Sequence, residues 1–242
     1  MAIKAETGFS LKDQLFNARS VRVLSDALAT SFAEQQTQFN QEQFEKLVLE
    51  KFPTLELKQR IDWMVTALAM HLPENFDEAL KILEGSLPAP LDPNKTDDDF
   101  GEFIWAIPGE FVARFGCTES TLTKSLSFLC ESTKRFTAEN SIRPFLRQYP
   151  AESLSFIKEC ALNNNYHVRR LASEGIRPFL PWAERANVNH NAIFEVLELL
   201  KHDNTRYVIR SVANTLNDLS KLEPERVIAT LTRWQKHTSS ET

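Results

Sequence analysis

The sequence is poor in glycine and cysteine and has no long hydrophobic run. Six glycines in 242 residues disfavour a β architecture with many tight turns. The sequence contains no run of about 18 apolar residues, so it predicts no transmembrane helix. Its start lacks a basic segment followed by an apolar one, so it predicts no secretory signal. Three cysteines without a C-x-x-C pair predict neither a disulfide framework nor a cysteine zinc site. We therefore expect a protein of a reducing cytosol, with no membrane partner.

Charge is distributed unevenly along the chain. The net charge of −5 counts against a nucleic-acid partner. Residues 134–242, however, hold 16 Lys and Arg against 12 Asp and Glu, a net of +4, which leaves −9 for residues 1–133. Eleven of those 16 cations are arginine, which binds phosphate bidentately. The count alone fits a polyanion partner and an ordinary solvated surface equally well.

Apolar residues recur at three- and four-residue spacing, which predicts an all-α protein. Helices are predicted over 43–50, 57–69 and 76–87, and near 118–133, 136–147, 151–162, 166–176, 190–201, 204–219 and 223–236. Prolines and aspartates predict a loop over 87–99. Thr118 and Asp203 are candidate N-caps, and Pro224 suits a first helical turn. The short polar links predict antiparallel helix pairs.

The second half of the chain resembles itself. Residues 167–176 (HVRRLASEGI) align without gaps on 207–216 (YVIRSVANTL), and the tetrad Arg-Pro-Phe-Leu at 143–146 recurs 34 residues later at 177–180. Such a period, with two helices in each repeat, is typical of HEAT-like repeats. We therefore predict a curved solenoid of antiparallel helix pairs, an ARM-type superhelix, forming one domain over 1–242. In it, acidic helices (1–90) and the 87–99 loop precede the repeats (100–242).

The repeat register places polar residues on successive rungs of one predicted face: Glu139, Glu174 and Asn214. Several arginines surround them in sequence: Arg143, Arg169, Arg170, Arg177 and Arg210. Because nearby cations favour the charged form of a carboxyl group, we expect both glutamates to stay ionised. Fixed anions suit the stabilisation of a developing cation better than general-acid catalysis. Two alternatives stay open: surface carboxylates that pair with arginines, and a glycoside hydrolase, for which aromatic sugar platforms are missing.

Trp182 follows the helix that carries Glu174. Its side chain could plug the core, or its indole face could attract a cation. The sequence contains no H-E-x-x-H motif, no clustered cysteines and no P-loop. Neither a metal nor a cofactor is therefore predicted.

Two runs of sequence carry a resemblance to a known family. HVRRLASEGIRPFLPWA (167–183) and DNTRYVIRSVANTLNDLSK (203–221) resemble the HEAT-like-repeat DNA alkylation-repair glycosylases, the AlkC branch more than the AlkD branch. FTAENSIRPFL (136–146), ELKQRIDWM (56–64) and DDDFGEFIW (97–105) extend the resemblance over most of the chain.

The resemblance implies a monofunctional glycosylase of base excision repair. It would hydrolyse the glycosidic bond of cationic N3-alkylated bases, such as 3-methyladenine, in duplex DNA, without metal or cofactor. It implies catalytic roles for Glu139, Glu174 and Trp182. It also implies a basic groove within 100–242, with DNA-contacting residues Arg143, Arg169, Arg170, Arg177, Arg210, Ser211 and Asn214. We expect a monomer without the C-terminal immunoglobulin-like module that some relatives carry.

Two other functions stay compatible with the sequence. A noncatalytic HEAT-like scaffold would bind a protein or peptide in its groove, independently of the carboxylates. A DNA-structure-binding relative would bind duplex DNA and release no base. Incubation with methylated duplex DNA separates the three. Release of free base indicates the glycosylase, DNA binding without release indicates the DNA-structure-binding relative, and the absence of both indicates the scaffold.

Overall fold

The computed structural model describes residues 10–92, 94–95 and 100–238, and the regular secondary structure of these residues is helical. The α-helices are α1 (Leu11–Leu15), α2 (Ala18–Glu34), α3 (Gln41–Lys51), α4 (Leu57–Ala69), α5 (Phe76–Ser86), α6 (Ala106–Phe115), α7 (Leu122–Ser132), α8 (Arg143–Gln148), α9 (Pro150–Ala161), α10 (Tyr166–Glu174), α11 (His190–Leu200), α12 (Arg206–Ser220) and α13 (Pro224–Thr238). Short 3-10 turns occupy Phe52–Thr54 and Phe103–Trp105. The predicted all-α class is confirmed. Within the described residues, every helix is too short or too polar to cross a membrane.

The chain folds into two compact units. The first is built from Met1–Pro88 and Glu102–Phe111, and the second from Ala89–Gly101 and Val112–Thr242. In the first unit, α2 packs against α3 and α5, and α4 packs against α1 and α3. The Asn17 side chain caps α2 by accepting hydrogen bonds from two backbone amides of its first turn. The prediction of one continuous domain stays a prediction.

The second unit has the helix-pair order expected of repeats. Helix α9 packs against α8 and α10, α10 packs against α11 and α12, and α12 packs against α13. Because α10 has neighbours on several sides, eight of its nine residues are buried. Any polar side chain of α10 must therefore find its partners inside the protein.

Several predicted helix boundaries were wrong. The stretch predicted as one helix over 136–147 forms a helix only from Arg143, where Pro144 fits the first turn, and turns precede it. The predicted 118–133 helix begins at Leu122. Thr118 therefore does not cap it, and its hydroxyl instead bonds the hydroxyl groups of the turn that precedes α7.

Other boundaries followed from local chemistry. The N-cap residue of α12 is Thr205 rather than Asp203. Oδ1 of Asp203 accepts a 2.8 Å hydrogen bond from the amide of Thr205. The predicted first-turn position of Pro224 is confirmed. Helices α1, α2 and α6 were not predicted. The described part of 87–99 beyond Leu87 contains no helix, whereas residues 93 and 96–99 lie outside the described residues.

Candidate active site

Arg170 joins the two predicted carboxylates. From α10, its Nη1 donates a 3.0 Å hydrogen bond to Oε2 of Glu139, and its Nη2 lies 3.8 Å from Oε1 of Glu174. The Arg170 side chain is only 9% exposed, so solvent screens these interactions weakly. One buried guanidinium thus places the two glutamates at a single site within the second unit.

Glu174 is held by donors on both oxygens. Its Oε1 accepts a 2.6 Å hydrogen bond from Nη1 of Arg177, and its Oε2 accepts one of 2.6 Å from the hydroxyl of Ser211. The side chain is 4% exposed. Hydrogen bonds on both oxygens fix the orientation of the carboxyl group. The Glu174 side chain is therefore held immobile at the site.

Glu139 is less enclosed than Glu174. It lies in the turn before α8, its side chain is 17% exposed, and the Arg170 hydrogen bond ends on only one of its oxygens. Burial raises the pKa of this carboxyl group, the Arg170 charge opposes that rise, and the neighbouring Glu174 adds to it. Desolvation thus outweighs the attraction of the guanidinium, which we expected from the sequence to dominate.

Aromatic rings surround Arg170. Its guanidinium carbon lies 4.6 Å from the ring centroid of Tyr207 and 5.5 Å from that of Phe100. Tyr207 is buried on α12, and its hydroxyl has no hydrogen-bond partner among the described residues. These rings restrict Arg170 to the orientation that bridges the glutamates. Tyr207 was not predicted as a site residue, although the 40-residue repeat aligns it with His167.

Asp218 is a second residue that sequence reasoning missed. It is buried on α12 and accepts hydrogen bonds from Nε of Arg177 at 3.0 Å, from Nη2 of Arg177 at 3.4 Å and from the amide of Phe179 at 3.2 Å. Its helical spacing of seven residues from Ser211 was the available signal, since such positions share one helix face. Asp218 therefore fixes the arginine that binds Glu174.

We call residues 175–189, between α10 and α11, the Trp182 loop. Trp182 is 66% exposed and has a φ of 63°, a left-handed conformation that bulky residues rarely adopt. Such a conformation persists only where the surroundings hold the backbone in place. The exposed indole excludes the alternative in which Trp182 plugs the core.

Arg143 supplies much of that support. It is buried, and its guanidinium donates to the carbonyl oxygens of Gly175 at 2.9 Å, Arg177 at 3.1 Å and Glu184. Burial lowers the pKa of Arg143 to about 10. This geometry argues against the predicted DNA contact, because a phosphate would have to displace bonds that hold the Trp182 loop.

The other predicted DNA-contacting residues differ in availability. Arg169 donates to both oxygens of Asp203, at 2.5 and 3.2 Å, and to the carbonyl oxygens of Asn163 and Asn164. Arg210 and Asn214 are half-buried on α12. Together with Arg170 and Arg177, Arg169 is thus largely neutralised by the protein itself.

Within the part of the chain that the structure describes, no group of three or more metal-ligating side chains occurs.

Comparison with known proteins identifies a sequence relative and a structural relative of the chain. No family model matches it. It is 30% identical over 225 residues to the uncharacterized protein YhaZ of Bacillus subtilis (strain 168), covering 91% of this chain and 58% of that protein. It also resembles the solved structure of Pseudomonas fluorescens alkylpurine DNA glycosylase AlkC bound to DNA containing an abasic site analog, with a TM-score of 0.78 and 27% identity, over 92% of this chain and 59% of that one. The chain thus spans under two thirds of each relative. With this shared helical-repeat fold, it belongs to the AlkC/AlkD-like superfamily.

Proposed function

We propose that this protein is a monofunctional DNA glycosylase that hydrolyses the glycosidic bond of cationic N3-alkylated bases, such as 3-methyladenine, in duplex DNA. One observation carries the proposal: Glu139 and Glu174 lie at one site, joined by a buried arginine. The similarity to a DNA-bound alkylpurine glycosylase supports the same class of activity.

The chemistry requires little from a general acid. Alkylation at N3 gives the base a positive charge, so the base can leave with the electron pair of the glycosidic bond and become neutral. The deoxyribose then develops oxocarbenium character. A carboxylate beside the sugar stabilises this charge in the transition state more than in the ground state.

The environments of the two glutamates suit different tasks. Glu174 is fixed on both oxygens, so we assign to it the permanent negative charge of the site. Glu139 is more exposed and has one oxygen beyond its Arg170 hydrogen bond. We assign to Glu139 the orientation of the attacking water, whose oxygen bonds C1′ while its proton passes to the carboxylate.

Trp182 is exposed on an anchored loop in the same unit. An indole face attracts a cation by about 0.5–2 kcal/mol, depending on desolvation. We assign to Trp182 a contact with the cationic base or its sugar, held ready by the anchors of the loop. Pre-organisation of this kind avoids an ordering penalty when DNA binds.

The test is release of free base from methylated duplex DNA, measured chromatographically. We expect release by the intact protein and loss of about a hundredfold in rate for Glu139→Gln, corresponding to about 3 kcal/mol. Glu159→Gln is the matched control, because Glu159 is an exposed glutamate on α9. If the intact protein binds duplex DNA without releasing base, the proposal is contradicted in favour of a DNA-structure-binding relative. If it neither binds duplex DNA nor releases base, the result favours a scaffold.

A further inference from the structure

Most arginines predicted to bind phosphate are neutralised inside the protein, so DNA affinity requires other cations. Arg185 and Lys221 stand out in the second unit. Arg185 is exposed and forms no ion pair with a described residue. The Lys221 side chain is 59% exposed, and its Nζ lies 4.0 Å from Oδ1 of Asp218, a carboxylate that already accepts from Arg177.

Both cations lie against one aromatic ring. The guanidinium carbon of Arg185 is 5.1 Å from the Phe179 centroid, and Nζ of Lys221 is 5.7 Å from it. The two positive groups are therefore no more than about 11 Å apart. The ring attracts each cation but does not remove the repulsion between them. An anion bound close to both cations would offset it.

The ring that orders the two cations is itself anchored. The amide of Phe179 donates to Oδ2 of the buried Asp218 at 3.2 Å. Arg147 helps to hold Arg185 in place, because it forms a 2.7 Å ion pair with Glu184 and donates to the carbonyl oxygen of Arg185 at 3.4 Å. That ion pair also occupies the carboxylate next to Arg185 in sequence.

A cavity of about 200 Å³ opens beside the ring, and Arg177, Phe179, Arg185, Asn187 and His190 contribute to its walls. Besides Arg177, which is paired with carboxylates, its donors are the Arg185 guanidinium, the Asn187 amide and the His190 imidazole. The carboxylate that His190 contacts, Glu223, also binds Arg226. Cationic and amide donors around a small cavity suit a phosphate oxygen rather than a cation.

We propose that Arg185 and Lys221, ordered over Phe179, bind a backbone phosphate of duplex DNA. This inference rests on the proposed function for its ligand and concerns a surface beyond the carboxylate site. The Trp182 loop would then position DNA twice, because it carries both Trp182 and a phosphate contact. Neither Arg185 nor Lys221 was among the residues predicted from the sequence.

The experiment compares the salt dependence of binding to an undamaged duplex, measured by fluorescence anisotropy. In Arg185→Gln/Lys221→Gln, we expect the slope of log affinity against log salt to become shallower by about 1 to 2, since each phosphate contact contributes about 0.9. The charge-preserving Arg185→Lys/Lys221→Arg variant should retain most of the slope. Lys158→Gln is the matched control, because Lys158 is an exposed cation paired with Glu195.

A slope equal to that of the intact protein in the double glutamine variant overturns the inference, as does an equal change in Lys158→Gln. Both substituted side chains are exposed, so thermal unfolding should be unchanged. Failure of the proposed function is distinguishable from failure of this inference. In that case the intact protein would release no base, while the double glutamine variant would still show a shallower salt slope than the intact protein.

Discussion

Nη2 of Arg143 donates a 3.1 Å hydrogen bond to the carbonyl oxygen of Arg177, the residue at the same place in the second Arg-Pro-Phe-Leu tetrad. The two tetrads have identical sequences but different structures, since the first lies in α8 and the second in the Trp182 loop. Consequently one arginine fills its donors with backbone oxygens and the other with the carboxylates of Glu174 and Asp218. The repeat has diverged into an arginine that anchors backbone oxygens and an arginine that binds Glu174 and Asp218.

We expect Arg143→Met to lower the free energy of unfolding by about 3 kcal/mol, measured by urea denaturation. The substitution leaves the buried carbonyl oxygens of Gly175 and Arg177 without their donor. Arg147→Met is the control. Its ion pair with Glu184 is partly exposed, so we expect an effect below about 1 kcal/mol. Equal effects of the two substitutions would argue against an anchoring role.

The two glutamate variants should separate stability from activity. Glu174→Gln removes a charge between buried Arg170 and half-buried Arg177, so we expect a loss of about 2 kcal/mol in unfolding free energy as well as slower base release. Glu139→Gln should slow release with a smaller change in stability, because burial already disfavours the charge that this substitution removes. Urea denaturation and base-release rates measure the two effects. A larger stability loss for Glu139→Gln contradicts this assignment.

The raised pKa of Glu139 predicts a pH dependence. Because the proposed water-orienting role requires ionised Glu139, base release should fall as the pH drops through a pKa above the ordinary value of 4.5. The residual activity of Glu139→Gln should lack this acidic limb once spontaneous depurination is subtracted. An identical limb in both proteins would assign the titration to another group.

The same shift has a defined sign for stability. Because the folded-state pKa lies above 4.5, the folded protein holds this proton more tightly than the unfolded chain does. The resulting stabilisation is fully present below 4.5 and is lost as the pH rises through the folded pKa. Relative to Glu139→Gln, the intact protein should therefore lose stability with rising pH over that window, measured by urea denaturation. A constant difference contradicts the shift.

Substitution of Trp182 should affect activity more than stability. The side chain is 66% exposed, so we expect Trp182→Ala to change the unfolding free energy by less than about 1 kcal/mol. Base release should fall about tenfold, matching about 1.4 kcal/mol of lost cation–π attraction. Trp182→Phe should recover part of that loss. Unchanged release by Trp182→Ala would remove the residue from the site.

The spacing of apolar residues predicted the helical class, and the repeat register predicted that Glu139 and Glu174 share a site. Helix boundaries were less predictable. The 136–147 pattern is helical by periodicity, yet turns occupy the residues before Arg143 and place Glu139 where Arg170 reaches it. Backbone hydrogen bonds in such turns depend on neighbouring segments, which periodicity does not describe.

The sequence by itself determined the presence of the charges: two glutamates among arginines, with a tryptophan after the second. Which arginine binds which partner was decided only by the tertiary structure. A phosphate-binding arginine and a buried anchor are the same residue type in sequence. Burial makes the difference, because a guanidinium removed from water must fill its donors from the protein. Arg143 therefore donates to backbone oxygens and Arg170 donates to the glutamate site, whereas Arg185 stays exposed to solvent.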